Sequence, residues 1–363
     1  MRDENSIVAT SISIEEPVEA GGDYTVVLDG ERRVRLDAAD SSSAGYRTVL
    51  ERLRRQRRPV YVEVDAARGA VRRLLVPHVT RVVRLVERGE ELLVELVGSH
   101  AVHRVNLRQP DGPEMAETLR RAADSKEGLI VTEDESHYVL DVLAYTPRPD
   151  GPDLPPFPMK PVPEPEPPKP PFWRRWWFWL WWWLSCPSAG KVQQIFNQLG
   201  ATSCPPLTVP APCIPFMYPD NGCWARAHEM CRLVINTGRS PRKVWIFAGS
   251  NGILHVDTNN NPNCFVEWWY HVAPTLCVRT GWIKTQRMVL DPSMFTTPVP
   301  VATWHAAQHD PTASLVHTGP EQYGPYGGTD PTYSSTNADL ATYRTALLNR
   351  SIQVGPPPYA QCP

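Results

Sequence analysis

A proline-rich run between residues 146 and 172 divides this chain of 363 residues into two halves. It includes Pro147-Arg148-Pro149 and the stretch from Pro161 to Pro168, in which proline occupies most positions. Proline fixes φ and has no backbone donor, so such a run adopts an extended polyproline conformation and acts as a semi-rigid spacer. We therefore predict a linker at residues 146–172, with an accessory domain at residues 1–145 before it and a separate module after it.

The cysteines are confined to the part of the chain that follows this linker. All 8 lie at or beyond residue 186. This asymmetry favours a C-terminal module built for an oxidising, extracellular setting beside a front domain that is indifferent to redox state. Residues 1–5 are polar and do not resemble a secretory signal, so we expect either export by a non-classical or injection route or cysteines that stay mostly reduced.

Charge gives no sign of a nucleic-acid partner. The formal net charge is −2 and the pI is near 6.6, whereas nucleic-acid-binding domains carry a basic surface. In the front half, His78, His100, His103 and His137 are scattered, with no cysteine or paired carboxylate at metal-ligand spacing. In the second half no two cysteines stand two to four residues apart. We therefore predict no metal site and no cofactor.

The front domain has the pattern of a β-rich α+β fold. Short apolar runs with strand-like alternation surround two helical patterns, at residues 46–57 and 114–123. The order of a strand, a loop, a helix and two further strands occurs twice, beginning at residues 34 and 105. We interpret this as two strand–strand–helix–strand–strand units that pack as one domain, a possible internal duplication.

A tryptophan-rich segment, residues 173–186, follows the linker. Its aromatic run, residues 172–184, is too short for a spanning helix, which needs about 20 apolar residues. Three interpretations stay open. Residues 172–184 could anchor the protein at a membrane interface, where tryptophan is favoured. They could instead pack on one of the two domains, or cover the active-site groove as a pro-segment would.

The module at residues 188–363 contains a helical pattern that begins beside a cysteine. Asp220 or Asn221 can cap the helix, and Gly222 allows a tight turn. Cys223 then lies in the first helical turn, where the helix dipole favours a thiolate and lowers the thiol pKa. The alternative is that Cys223 is a small buried residue or half of a disulfide.

Two later stretches supply the partners that a nucleophilic cysteine needs. Residues 265–272 alternate like a strand and end near His271, and residues 288–293 form a second short apolar run that ends near Asp291. Residues 279–282 have the pattern of a hairpin turn between them. We expect the two strands to pair, with His271 and Asp291 side by side and facing Cys223. Nucleophile, base and orienting residue are the three roles of acyl-transfer chemistry.

Several motifs in this order resemble the protein-glutamine glutaminases (protein deamidases), a family with a fold related to transglutaminases and papain-like cysteine enzymes. The resemblance covers residues 195–295. The motifs are Ile195-Phe196-Asn197-Gln198, the Cys204 and Cys213 pair, Tyr218-Pro219, Gly222-Cys223 with Ala225-Arg226-Ala227-His228, Tyr270-His271-Val272 and Asp291-Pro292-Ser293. Two departures leave substrate preference open: Trp224 stands where the family carries tyrosine, and residues after 298 show no match.

The resemblance implies an α+β catalytic domain without a cofactor. It makes Cys223 the nucleophile, His271 the general base and acid, and Asp291 the residue that holds the imidazole, and it implies a Cys204–Cys213 disulfide. The expected reaction is deamidation of protein-bound glutamine to glutamate through a Cys thioester, with protein as the substrate partner. A transglutaminase and, more distantly, a cysteine protease are the rival enzymes. A membrane- or partner-docking protein with an enzyme as cargo is the other alternative, and this layout would suit a delivered effector or toxin.

Overall fold

A computed structural model describes residues 6–17, 19, 22–149, 151–155, 185–249, 252–281 and 284–362. Most of the predicted linker and the aromatic run at residues 172–184 lie outside these ranges, and so do the predictions made for them. The chain falls into two compact units. The first comprises Met1–Phe157, Pro205–Val209 and Thr342–Pro363, and the second comprises Pro158–Cys204 and Pro210–Ala341. The C-terminal residues 342–363 thus group with the front of the chain, whereas the sequence placed them in the catalytic module.

The first unit is built from strands and amphipathic helices. Its elements, in chain order, are β1 (Ser6–Ala9), β2 (Ile12–Glu15), β3 (Tyr24–Leu28), β4 (Arg32–Leu36), α1 (Ser43–Arg55), β5 (Val60–Asp65), β6 (Ala70–Leu75), β7 (His78–Thr80), β8 (Val82–Arg88), β9 (Glu91–Leu96), β10 (His103–Asn106), α2 (Gly112–Ser125), β11 (Gly128–Glu133) and β12 (Val139–Tyr145).

Strands of the first unit follow the same order twice. The first six form one sheet in the order β1-β5-β6-β4-β3-β2, with β4 and β6 parallel at Arg35 and Ala70. The next six form β7-β11-β12 and β10-β9-β8, and a parallel bridge between Arg104 and Tyr138 connects β10 to the start of β12. Each helix stands at the same place, α1 between β4 and β5 and α2 between β10 and β11.

Both predicted front-domain helices are present. In α1, Tyr46, Val49, Leu50 and Leu53 recur at helical spacing and are buried. The second helix, α2, buries Ala116, Leu119 and Ala122 in a core that also contains Val94, Val105, Leu129 and Val131. The 3.6-residue period therefore identified both helices correctly, and their bounds differ from the predicted ones by a few residues.

The second unit adds the remaining elements. They are α3 (Ala189–Gly200), α4 (Cys223–Asn236), β13 (Arg242–Phe247), β14 (Leu254–Asp257), β15 (Phe265–Trp268), β16 (Tyr270–Gly281), β17 (Lys284–Val289), β18 (Val299–Pro300), α5 (Val301–Ala306), β19 (Ser314–Thr318), β20 (Gln322–Gly324), β21 (Gly327–Thr329) and α6 (Ser334–Val354), the last of which continues into the first unit. Five of these strands form a sheet in the order β18-β17-β16-β13-β19. The predicted α+β class is confirmed.

The predicted hairpin is present, but one predicted strand is divided. Strands β16 and β17 pair antiparallel, with Gly281 opposite Lys284 at the turn. The apolar run at residues 265–272 is not a single strand. Its first part, β15, pairs with β14, and from Tyr270 onward the chain pairs with β13 in the larger sheet. The predicted alternation holds only for β15, because the first seven residues of β16 are all buried.

Disulfides occur only in the segment beyond residue 185. Cys204–Cys213, the predicted pair, and Cys186–Cys277 are bonded, and Cys264 and Cys362 are also disulfide cysteines. Cys223 and Cys231 are free thiols. Six oxidised cysteines suggest an extracellular setting. Among the helices that the structure describes, none combines the length and the apolar character that crossing a membrane requires.

Candidate active site

Cys223 is the first residue of α4. The preceding residue, Gly222, has φ +81°, in the left-handed region that only glycine adopts without steric cost. The side-chain oxygen of Asn221 accepts a hydrogen bond from the Gly222 N–H at 2.9 Å. Gly222, and not either predicted residue, occupies the N-cap position, and Asp220 accepts from the Asn261 amide at 2.5 Å. The left-handed glycine therefore sets the turn that presents Cys223.

Arg226 lies one turn further along α4 and braces the loop before it. The side chain is buried, and its Nη1 donates to the carbonyl oxygens of Tyr218 at 2.9 Å and Asn221 at 2.5 Å. A buried guanidinium thus fixes the backbone that leads into Gly222. Its positive charge also acts on Cys223, where it favours the thiolate.

The thiol of Cys223 is buried and protonated. Only 1% of the residue is exposed, and this burial raises the pKa of Cys223 to about 12, although Arg226 and the backbone N–H of Val272 act in the opposite direction. The predicted low thiol pKa is therefore wrong for this structure. The prediction considered the helix dipole alone, and loss of hydration outweighs it.

His271 and Asp291 are paired as predicted. His271, on β16, donates from Nε2 to Asp291 Oδ2 at 2.8 Å, and a ring nitrogen of His271 lies within 4.8 Å of Cys223 Sγ. Asp291 follows the end of β17, and both side chains are buried. The three predicted residues thus lie together in the second unit. The distance to Cys223 fits a thiol and an imidazole that approach further when a substrate is bound.

Two neighbours hold the Asp291 carboxylate from its other sides. Ser293 Oγ donates to Oδ1 at 2.6 Å, and Trp304 Nε1 donates to Oδ2 at 3.0 Å. Burial alone would raise the pKa of Asp291, but the His271 charge and these hydrogen bonds lower it below its usual value. Asp291 is therefore a buried anion that orients His271 in one direction.

Two indole rings lie against the imidazole. Trp268 stacks on His271 with ring centroids 4.4 Å apart and an interplanar angle of 20°, and Trp304 lies 5.6 Å away at 29°. Sequence reasoning missed Trp304 as a site residue. It lies 13 residues after Asp291 on the short helix α5, in a stretch without a recognisable motif. The strand that contains Trp268 was predicted, but its stacking depends on the change of sheet at Trp269.

His228, on the same helix as Cys223, has a different environment. Its Nε2 donates to the Asp330 carbonyl at 3.3 Å, and its Nδ1 accepts from the fully buried Lys243 ammonium at 2.9 Å. Burial and the Lys243 charge lower the pKa of His228 to about 4. His228 is therefore a neutral histidine that accepts a hydrogen bond from Lys243.

A buried cysteine at a helix N-terminus, close to a histidine–carboxylate pair on an adjacent sheet, has the arrangement that nucleophilic acyl-transfer enzymes use. Comparison with known proteins narrows this class. Residues 192–308 match a family model described as Glutaminase. This match confirms the predicted resemblance to the protein-glutaminases over this part of the chain.

Two solved structures with TM-scores above 0.5 share the fold. The crystal structure of pro-protein-glutaminase is 21% identical with a TM-score of 0.51, and the match covers 80% of this chain and 99% of that chain. A mutant form of it is 22% identical with a TM-score of 0.51, and the match covers 73% and 91%. The NMR structure of protein-glutaminase from Chryseobacterium proteolyticum is 28% identical with a TM-score of 0.39, and the match covers 49% of this chain and 97% of that chain. The comparison with curated proteins returned no match.

Proposed function

We propose that this chain is a protein-glutaminase that hydrolyses the side-chain amide of protein-bound glutamine, giving glutamate and ammonia. The observation that carries the proposal is the His271–Asp291 hydrogen bond of 2.8 Å, with Cys223 Sγ within 4.8 Å of the imidazole, inside the segment that matches the glutaminase family. The reaction consumes only water. Side chains of this one segment supply the nucleophile, the base and the orienting carboxylate.

The first half of the reaction forms a thioester. Because His271 donates from Nε2 to Asp291, its Nδ1 is the nitrogen that takes the Cys223 proton. The sulfur then attacks the carboxamide carbon, and the negative charge that develops on oxygen faces the N-terminus of α4, where the Cys223 N–H can donate. The imidazolium returns its proton to the nitrogen, the C–N bond breaks and ammonia leaves.

The second half of the reaction releases glutamate. His271 accepts a proton from a water molecule, whose oxygen attacks the thioester carbon, and the C–S bond breaks as the proton passes to Cys223. Asp291 stays ionised throughout and stabilises the imidazolium that forms in each half. Interception of the same thioester by a lysine amine would be transglutamination.

We further propose that the residues before the catalytic segment restrain the enzyme. A thiol whose pKa is raised to about 12 by burial is a resting state, because a substrate glutamine cannot reach a sulfur that is 1% exposed. The two solved structures described as pro-protein-glutaminase are covered at 99% and 91% of their length by this chain. The length of the front unit supports the same pro-region arrangement here.

Several finer predictions stay proposals beside this one. The same strand order in the two halves of the first unit supports an internal duplication, and the structural likeness supports a papain-like catalytic fold. A role as a delivered effector and a membrane contact through residues 172–184 rest on the sequence alone. The proposed substrate partner is protein, and the disulfides favour an extracellular site of action.

The test measures ammonia release and glutamine-to-glutamate conversion on casein. Two proteins are compared: the full chain, and the full chain with a site-specific protease site inserted in the linker and cleaved, so that every residue remains present. We expect low activity before cleavage and high activity after it. Equal activity in both would remove the restraint proposal, and isopeptide cross-links formed instead of glutamate would support a transglutaminase.

Cys223→Ala in the cleaved protein is expected to abolish ammonia release, because no sulfur remains to form the thioester. Cys231→Ala is the matched control, since Cys231 is also a free, buried cysteine on α4 but lies two turns further along. It should retain activity within a few-fold. Ammonia release by the Cys223→Ala protein equal to that of the Cys231→Ala protein would sink the assignment of the nucleophile.

A further inference from the structure

Three histidines surround one carboxylate in the first unit, although they are scattered in the sequence. Glu133 Oε1 lies 2.9 Å from His78 Nε2 and 3.1 Å from His137 Nδ1, and Oε2 accepts from His103 Nδ1. One ligand atom each from His78, His103 and Glu133 lies within 4.8 Å of the other two. We did not predict this cluster, because its members come from three separate segments: β7, β10, and the end of β11 with the turn that follows it.

Strand pairing brings the four side chains to one place. His78 lies on β7 directly opposite Val131 of β11, two residues before Glu133. His103 begins β10, and His137 ends the turn between β11 and β12, where its carbonyl accepts from the Arg104 N–H at 2.9 Å. A bulge between Thr132 and Glu133 interrupts the register there, and bulges commonly re-aim a side chain. The cluster is therefore fixed by backbone on every side.

The first half of this unit has other residues at the positions equivalent to these four. The Arg35 N–H donates to the Gly69 carbonyl, and at the equivalent place the Arg104 N–H donates to the His137 carbonyl. A bulge lies between Glu63 and Val64 in the first half of the unit, and another lies between Thr132 and Glu133 in the second half. This register, together with the pairing of Ile7 with Val62, gives the equivalent positions. In the first half they are Ile7, Val34, Val64 and Gly69, and in the second half they are His78, His103, Glu133 and His137.

His137 adopts a backbone conformation that suits its equivalent better. Gly69 has φ +62°, which costs glycine nothing, and His137 has φ +63°, which costs a residue with a Cβ about 1 kcal/mol or more. A fold that can accept glycine at this position instead holds a histidine there. Strain kept at one residue indicates that its side chain has a use.

The surroundings suit metal ligands. His103 is fully buried, and its Nε2 lies 2.8 Å from Ser99 Oγ, so that a hydrogen bond orients the ring while Nδ1 faces Glu133. Histidine ligands in proteins usually have such a partner on the second nitrogen. The side chains of His78, His137 and Glu133 are 19%, 13% and 10% exposed, which leaves an opening through which an ion can enter.

We propose that His78, His103, Glu133 and His137 bind one Zn²⁺ ion. Three imidazole nitrogens and one carboxylate oxygen match the ligand types and the four-coordinate geometry of zinc, whereas Ca²⁺ and Mg²⁺ require mainly oxygen ligands. The ion would replace the direct histidine–carboxylate contacts, which hold His78 Nε2 and His137 Nδ1 at 2.9 and 3.1 Å from Glu133 Oε1. The proposal is independent of the deamidase reaction.

The experiment measures zinc retention by the full chain in a Cys223→Ser background, so that this thiol does not contribute. The protein is stripped with EDTA, loaded with Zn²⁺, dialysed against metal-free buffer and analysed by plasma mass spectrometry. We expect one zinc per chain. His137→Gly restores the residue of the equivalent position and relieves the strained φ, so it folds at least as well, and it should weaken zinc binding by at least about tenfold.

Two comparisons complete the test. Glu133→Gln should also lose zinc, and His317→Ala, which removes an exposed histidine of the second unit, should retain it. In thermal denaturation, Zn²⁺ but not Mg²⁺ should raise the melting temperature of the parent and leave that of His137→Gly unchanged. Zinc retention well below one per chain in the parent, or equal retention by the parent and His137→Gly, would overturn the proposal.

Discussion

The two units each bury a carboxylate against histidine, and they use it in opposite ways. In the second unit Asp291 accepts from one imidazole, and its remaining positions are filled by the neutral donors of Ser293 and Trp304. In the first unit the two oxygens of Glu133 face three imidazoles. Where neutral donors occupy its other positions, a carboxylate orients a single histidine. Where several imidazoles surround it, the carboxylate and the imidazoles together form a set of metal ligands.

The difference shows that a buried histidine–carboxylate contact does not identify a catalytic pair by itself. What separates the two places is the nature of the other neighbours: an indole and a hydroxyl donor with a thiol nearby in one case, and two further imidazoles in the other. Substitutions that change one carboxylate at a time can therefore break or sharpen the comparison.

The largest effect is expected from Asp291→Asn. An amide in this place can donate to His271 Nε2 and so favours the tautomer with the proton on Nδ1, which cannot accept the Cys223 proton. We expect kcat of the linker-cleaved enzyme to fall on the order of 10³- to 10⁴-fold, with little change in KM. Ammonia release from casein measures both constants.

Glu133→Gln is the counterpart in the first unit. It makes the same carboxylate-to-amide change beside histidine, yet it should leave kcat of the cleaved enzyme within a few-fold of the parent. Comparable losses of kcat in the two variants would mean that both carboxylates serve the reaction, and the two units would not differ in their use of a carboxylate.

An intermediate effect is expected from acid, because His228 faces a cation instead of a carboxylate. Burial and Lys243 lower the pKa of His228 from 6.5 to about 4. Between pH 4 and pH 6.5, His228 binds a proton in the unfolded chain but not in the folded chain. Folding stability therefore rises with pH across this window and is lost on acidification, by about 2 kcal/mol for this residue.

Urea denaturation near pH 7 and near pH 4.5 measures the effect of His228. The second unit of the parent should lose about 2 kcal/mol more between these conditions than His228→Gln does, since the variant has no group to titrate there. Carboxylates titrate in both proteins, and their contribution cancels in the difference. Parallel losses would show that His228 keeps an ordinary pKa.

The smallest effect is expected from Trp304→Phe. The ring that lies against His271 stays, and only the hydrogen bond of 3.0 Å to Asp291 is lost. A hydrogen bond to a charged group contributes about 1.5–3 kcal/mol. Part of this energy stabilises the transition state, so kcat should fall about tenfold. Trp245→Phe removes the hydrogen bond of 3.0 Å to Thr318 and is the control, with similar destabilisation and unchanged kcat.

Sequence reasoning succeeded where local pattern decides the structure. The helices around Val49 and Leu119, the hairpin at Gly281 and the nearness of His271 to Asp291 follow from periodicity, turn residues and motif order. The pKa of Cys223 did not follow, because hydration depends on everything that packs around a thiol and not on its position in a helix.

Contacts between distant segments were out of reach for another reason. Trp304 reaches Asp291 from a helix with no motif of its own, and Glu133 gathers histidines from β7, from β10 and from a turn. The duplicated strand order was visible as a pattern, but only the register shows that Gly69 and His137 are equivalent. Spacing along the chain does not predict such neighbours, because the pairing of strands in the sheet determines them.

The stacking of Trp268 and Trp304 on His271 has an optical consequence. An imidazolium quenches the fluorescence of a nearby indole far more strongly than a neutral imidazole does, and the closer ring here is 4.4 Å away. Each turnover that charges and discharges His271 would dim and restore the light from these two side chains. The active site thus contains its own reporter, and stopped-flow emission could follow the proton while the chemistry proceeds.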